Sequence, residues 1–179
     1  MRALTVAAML LLSPLTANSQ QPAGSSRAHQ IAALFTKHKD VVVVKRGVSR
    51  EKYKDVRAEP QVMQNVSEYA GRYEASDLGW YIDIRVGKAG QIEVTGFEAG
   101  QPSPTFELEN VTIAGALLTG RKVYRDGSVA RFEGLFMNRT ARSSRADTGV
   151  TAFGLGVVLA RPVEAVGVTW DKLFYQLKQ

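Results

Sequence analysis

From residue 69 to residue 177 the chain repeats one pattern: short runs in which apolar and polar positions alternate, separated by turn residues. Trp80, Ile82, Ile84 and Val86 fall on one side of such a run and Tyr81, Asp83 and Arg85 on the other, the period of two that marks a half-buried strand. Gly87-Lys88-Ala89-Gly90 reads as a hairpin turn, after which Ile92, Val94 and Gly96 continue the inward face. Phe106 and Leu108 alternate with Glu107 and Glu109, whereas Val111 and Ile113 are out of phase with them. A slip near Asn110 therefore predicts a bulge or a turn. Residues 116–124 and 128–137 flank Asp126-Gly127, a strong hairpin signal, and residues 150–160 and 168–177 complete eight strand-like segments.

No helical period interrupts them, so the pattern predicts a mainly β fold, an eight-stranded antiparallel up-and-down barrel with a sandwich as the second choice. The residues ahead of the strands differ. Ile31, Leu34 and Phe35 recur at helical spacing within 27–38, residues 41–44 form a β-branched run, and Ser49 stands as a helix N-cap before a segment closed by Pro60. The reading is helix, short strand, helix: an N-terminal α-helical extension over 20–66 ahead of a barrel domain over 67–179. Residues 1–19 have the form of a signal peptide, with Arg2, an apolar run from Ala3 to Leu12 and small residues at Ala17 and Ser19. That run is shorter than the roughly 20 residues that span a bilayer, so no transmembrane segment is expected after cleavage. A periplasmic or secreted bacterial protein is the expected destination, and with no cysteine there is neither a disulfide nor a lipid-bearing thiol.

Tyr69-x-Gly71-x-Tyr73 at the start of this strand run resembles the opening of calycin or lipocalin-like small barrels. It is similar in particular to the lipocalin-like domain fused to bacterial β-lactamase-like hydrolases and peptidases. The resemblance covers residues 66–177 and implies a closed barrel.

The net charge of +6 is unevenly spread. Basic and acidic residues balance from 67 onward, whereas Arg27, Lys37, Lys39, Lys45, Arg46, Arg50, Lys52, Lys54 and Arg57 outnumber Asp40, Glu51, Asp55 and Glu59 in the extension. Such a strip suits an anionic envelope partner or simple solvation; nucleic acid is not expected of an exported chain. Catalytic chemistry has little to draw on. His29 and His38 lack metal-pair spacing, and the carboxylates Glu74, Asp77, Asp83, Glu93, Glu98 and Glu133 mostly take the solvent phase of their strands. Ser143 and Ser144 have no nucleophile elbow around them. No cofactor, metal site or catalytic residue is predicted.

The candidate ligand-binding residues are Arg139, Arg142 and Arg145, guanidinium forks on a connection over 138–149 placed at the barrel mouth, with Trp80 and Tyr73 as aromatic lining. Gly154 and Gly156 share a strand face, which either bends the strand or makes room for a neighbour. Two functions remain: a non-enzymatic barrel holding a small apolar, amphipathic or anionic ligand, or an envelope interaction module acting through the basic extension. Asn65, Asn110 and Asn138 head chance matches to the glycosylation pattern.

Overall fold

The computed structural model describes residues 23–36, 42–46, 49–75, 78–98, 105–143, 149–165 and 168–178. A helix α1 (Ala23–Phe35) precedes the strands β1 (Val42–Arg46), β2 (Ser49–Pro60), β3 (Gly71–Ala75), β4 (Trp80–Val86), β5 (Ile92–Phe97), β6 (Thr105–Ala114), β7 (Leu117–Tyr124), β8 (Val129–Ser143), β9 (Gly149–Ala165) and β10 (Val168–Leu177). From β3 to β10 each strand pairs antiparallel with the next, and β10 returns to β3 through Gln176↔Glu74 and Leu177↔Tyr73. The result is a closed eight-stranded up-and-down barrel, in which spatial order equals sequence order. Closure satisfies backbone groups that would otherwise lie along two sheet edges.

The alternation read in the sequence sets the inner face. Tyr73, Ile82, Leu118, Phe136, Leu155 and Tyr175 have no exposed surface, and Trp80, Ile84, Val94, Phe106 and Phe132 are within 4% of none. Large side chains thus occupy the barrel axis, as the narrow interior of eight strands requires. The slip at Asn110 is a bulge: the β6–β7 register shifts between Glu109 and Thr112, and Asn110 takes a φ of 53°, a region that asparagine tolerates. At Asp126-Gly127, Gly127 donates to the Tyr124 carbonyl at 2.9 Å with a φ of 80°, and Asp126 Oδ1 accepts from the Ser128 amide at 2.9 Å.

One end of the barrel is shut by a 3-10 turn, Val66–Tyr69, whose start is held by Glu68 accepting from the Asn65 amide at 2.9 Å. Tyr69 donates to the Gly115 carbonyl at 2.9 Å and stacks on Phe136 at 4.1 Å, tying the turn to the β6–β7 connection and the barrel axis.

Beyond that end, two expectations for the N-terminal segment give way. The second predicted helix, over 49–57, is strand β2. β7 leaves β8 at Leu117↔Leu135, and β2 takes over the vacated edge from Met137↔Pro60 to Ser143↔Tyr53. Unpaired backbone on β8 outweighs the local cap signal at Ser49, because a backbone hydrogen bond satisfied in a sheet is worth more than a helix start without a buried face. Val56 and Ala58 are then buried against the body. In the first helix the buried stripe is Ala28, Ile31, Ala32 and Phe35, while Leu34 is 45% exposed, so Leu34 is not part of the packed face.

α1 lies across the outside of the barrel over β8 and β9. This explains the run Phe132–Met137, where alternation fails: Phe132 and Phe136 fill the interior, and Leu135 and Met137, facing outward, are fully buried beneath the helix. Gly156 leaves a notch there, since a Cβ would stand 2.9 Å from the Phe35 ring and collide with the Met137 methyl. Arg27 clamps the helix with a fork onto Glu133, at 2.9 and 2.5 Å, and the Ala58 amide donates to Thr36 Oγ1 at 3.1 Å. The arginine fork holds the Glu133 carboxyl below its usual range.

Candidate functional site

The predicted ligand-binding residues do not converge. Trp80 opens β4 opposite Ala75, at the end away from the 3-10 turn, and is 2% exposed. Tyr73 lies on the axis, donates to the Tyr69 carbonyl at 2.8 Å, and has its phenol pushed up by burial. Arg139 and Arg142 belong to β8, not to a connecting loop, because β8 runs to Ser143 with β9 and β2 on its two sides. They stand where this ladder overshoots the barrel, at the opposite end from Trp80. Arg145 lies outside the described residues.

That overshoot is a four-stranded lip in the order β1, β2, β8, β9. Its charges are arranged unlike those of the barrel. In the barrel, cations face acids across strands: Arg72↔Asp83, Arg85↔Glu93 and Arg121↔Glu109. Arg72 grips Asp83 at 2.8 and 2.6 Å and covers the Tyr81 ring at 4.3 Å, and Arg121, though beside Arg131, is bonded to Glu109. On the lip, cations face cations, with Lys45↔Arg50 across β1–β2 and Lys54↔Arg142 across β2–β8. Directly opposed like charges destabilise a ladder.

Arg139 belongs to the same lip, in register with Ala58 and Ala152. Its guanidinium lies 4.6 Å from the centre of the Phe174 ring, and its Nε is buried without a hydrogen-bond acceptor. Burial alone lowers its pKa, which records a cation left without an anion.

Sequence reasoning missed the polar cluster inside the barrel. Lys122 donates to Glu98 Oε1 at 2.6 Å, Tyr124 donates to Oε2 at 2.9 Å, and Tyr175 reaches Oε1 at 3.5 Å. The ammonium stands 4.3 Å from the Phe106 ring and 5.4 Å from that of Phe132. Both charged side chains are nearly sealed, with 6% and 4% of their surfaces exposed. Burial lowers the Lys122 pKa against the pull of Glu98, and burial raises Tyr124 and Tyr175. One signal in the sequence points to Lys122: it shares the inward phase of Leu118, Gly120 and Tyr124. The cluster fastens β5, β7 and β10 together from inside, and its donors and acceptors are spent on one another.

Two open grooves accompany these features. One, about 370 Å³, runs over Tyr81, Gly96, Phe106, Tyr124 and Arg125 on the flank of the cluster, and the other, about 630 Å³, lies between α1 and β2 along Ala33, Thr36 and Pro60. Gly96 admits the Phe106 ring, which a side chain there would strike. Ser49 and Lys52 have the Ser-x-x-Lys spacing of a nucleophile and its base, but on β2 a separation of three puts them on opposite faces. Among the described residues no group of three acidic or histidine side chains could hold a metal ion, and no helix is long and apolar enough to cross a membrane. Comparison with protein-family models, with curated proteins and with solved structures finds no match to this chain.

Proposed function

We propose that the chain is an exported, non-enzymatic interaction module of the cell envelope, in which a neutral, filled barrel carries a cationic lip that docks an anionic partner. One observation carries the reading: on the lip, cations oppose cations in register at Lys45↔Arg50 and Lys54↔Arg142, whereas barrel cations face acids. An approaching anion relieves that repulsion, and the unmatched Arg139 adds a buried donor in search of an acceptor. Export rests on the leader-like residues 1–19, and a lipocalin-like relationship rests on Tyr69-x-Gly71-x-Tyr73 together with the up-and-down order.

The test compares the parent with a variant carrying K45Q, R46Q, R50Q, K52Q and K54Q, using polyglutamate and phosphatidylglycerol vesicles as anionic probes at about 0.15 M salt. The parent binds at least one probe, binding weakens as salt rises, and the variant loses about tenfold or more in affinity. A parent that binds neither probe refutes the proposal. A second reading, a small amphipathic ligand, has the Tyr81–Phe106–Tyr124 groove behind it. Native mass spectrometry of protein taken from its own compartment tests that reading directly, a retained small molecule supporting it and a bare chain counting against it.

A further inference from the structure

Every strand from β2 to β10 has a neighbour on each side, whereas among the described residues β1 pairs only with β2. Barrel closure removes the ordinary sheet edges, and the lip restores one. An open edge is a row of N–H and C=O groups that a further extended chain can join. β1 is suited to it by composition as well as position: Val42, Val43 and Val44 are β-branched, and Lys45 and Arg46 follow them. In register, Lys45 stands opposite Arg50 and Val43 opposite Lys52, so positive charge gathers toward the β1–β2 connection while the other end of β1 is apolar.

We infer that the anionic partner is an acidic, extended polypeptide segment that adds to β1 as a further strand, with acidic residues beside Lys45 and Arg46 and β-branched or apolar residues beside Val42–Val44. This inference rests on the proposed function, and it is narrower. Docking by charge alone needs only the cations, whereas strand addition also needs the partner's backbone N–H groups. Those hydrogen bonds fix register, so the cations read the position of the acids along the added strand instead of their number. Edge cations commonly serve to keep an edge unpaired, so the two roles must be separated by a backbone-sensitive probe.

The probe is a labelled peptide of about eight residues, alternating Val and Thr and ending in two Glu, followed by fluorescence anisotropy on the full chain. Three companions accompany it: the same peptide with alternate backbone nitrogens methylated, the same peptide with Lys for Glu, and polyglutamate. The acidic peptide binds; methylation and the Lys exchange each weaken it by about tenfold or more, and the β1 amides gain protection from hydrogen exchange. K45E/R46E in the protein reverses the preference toward the Lys peptide. Equal binding of the methylated peptide overturns strand addition and leaves charge docking standing, as does binding of polyglutamate without the peptide. Failure of every anionic probe overturns both readings, and Lys45 and Arg46 are then edge guards. A concentration-dependent dimer whose formation protects β1 assigns the edge to a second copy and overturns the inference as well.

Discussion

Replacing Glu98 by Gln leaves the Lys122 ammonium inside the barrel without its anion. At the observed 2.6 Å, the attraction between the charges amounts to about 6 kcal/mol at an effective dielectric of about 20. The protein can escape part of the loss by releasing the lysine proton, which at about pH 7 costs at most about 5 kcal/mol for an amine of ordinary basicity. Burial already pushes Lys122 downward, so the real cost is smaller, and E98Q is expected to lose about 3–5 kcal/mol of stability, as for a buried pair deprived of one member. The pH dependence gives the sharper check. A lysine with a depressed folded pKa binds fewer protons folded than unfolded, so E98Q gains stability as pH rises from the folded pKa toward the unfolded value of about 10.5. Between about pH 7 and about pH 9.5 this recovers up to about 3 kcal/mol relative to the parent. K122M reverses the sign: the stranded Glu98 takes up a proton, and the variant approaches the parent as pH falls. In the double variant E98Q/K122M no charge is stranded, and stability returns to within about 2 kcal/mol of the parent. Urea titrations at several pH values, followed by the fluorescence of the buried Trp80, measure all four proteins. An E98Q variant within about 1 kcal/mol of the parent, or one indifferent to alkaline pH, refutes the reasoning.

Tyr73, Tyr124 and Tyr175 have phenols raised by burial, so the stability they lend is present below about pH 10 and is lost as pH climbs beyond it; in an ultraviolet titration their ionisation coincides with the collapse of near-ultraviolet dichroism, and earlier, non-cooperative ionisation counts against their burial. Gly154→Ala destabilises more than Gly156→Ala, because a Cβ at 154 meets the Tyr175 backbone carbonyl whereas one at 156 meets the movable Met137 methyl and the Phe35 ring; thermal unfolding with equal midpoints for the two variants contradicts this. Phe35→Ala costs about 3–5 kcal/mol at the helix seat and exposes α1 to limited proteolysis while strand dichroism persists. Arg27→Ala costs about 1 kcal/mol or less, since the arginine side of its bridge is 42% exposed; a larger effect than Phe35→Ala reverses the ranking of packing over charge.

Local rules carried far in this chain because a barrel strand is a local object. The alternation at 80–86, the turn at Asp126-Gly127 and the slip at Asn110 each depend on neighbours a few residues away, and each became the structure it predicts. The candidate site was less legible. A roll of arginines over 138–149 reads as a loop only while the partners of its backbone are unknown; with β9 on one side and β2 on the other, Arg139 and Arg142 are strand residues. Glu98 follows Phe97 at a strand end, where the phase of the preceding alternation no longer decides which way a side chain turns.

What the sequence by itself determined is the period of each strand, the position of most turns, the segregation of charge into the N-terminal segment and the shortage of catalytic side chains. Only the tertiary structure decided that 49–57 is a strand, that Leu135 and Met137 are covered from outside, and that Lys122 meets Glu98 from 24 residues away and Tyr175 from 77 residues away. The physical reason is common to all three. A vacated backbone edge, an outward apolar face and a buried charge are each unfavourable until something distant in the chain satisfies them, and which distant segment does so is settled by closure of the barrel, not by local preference.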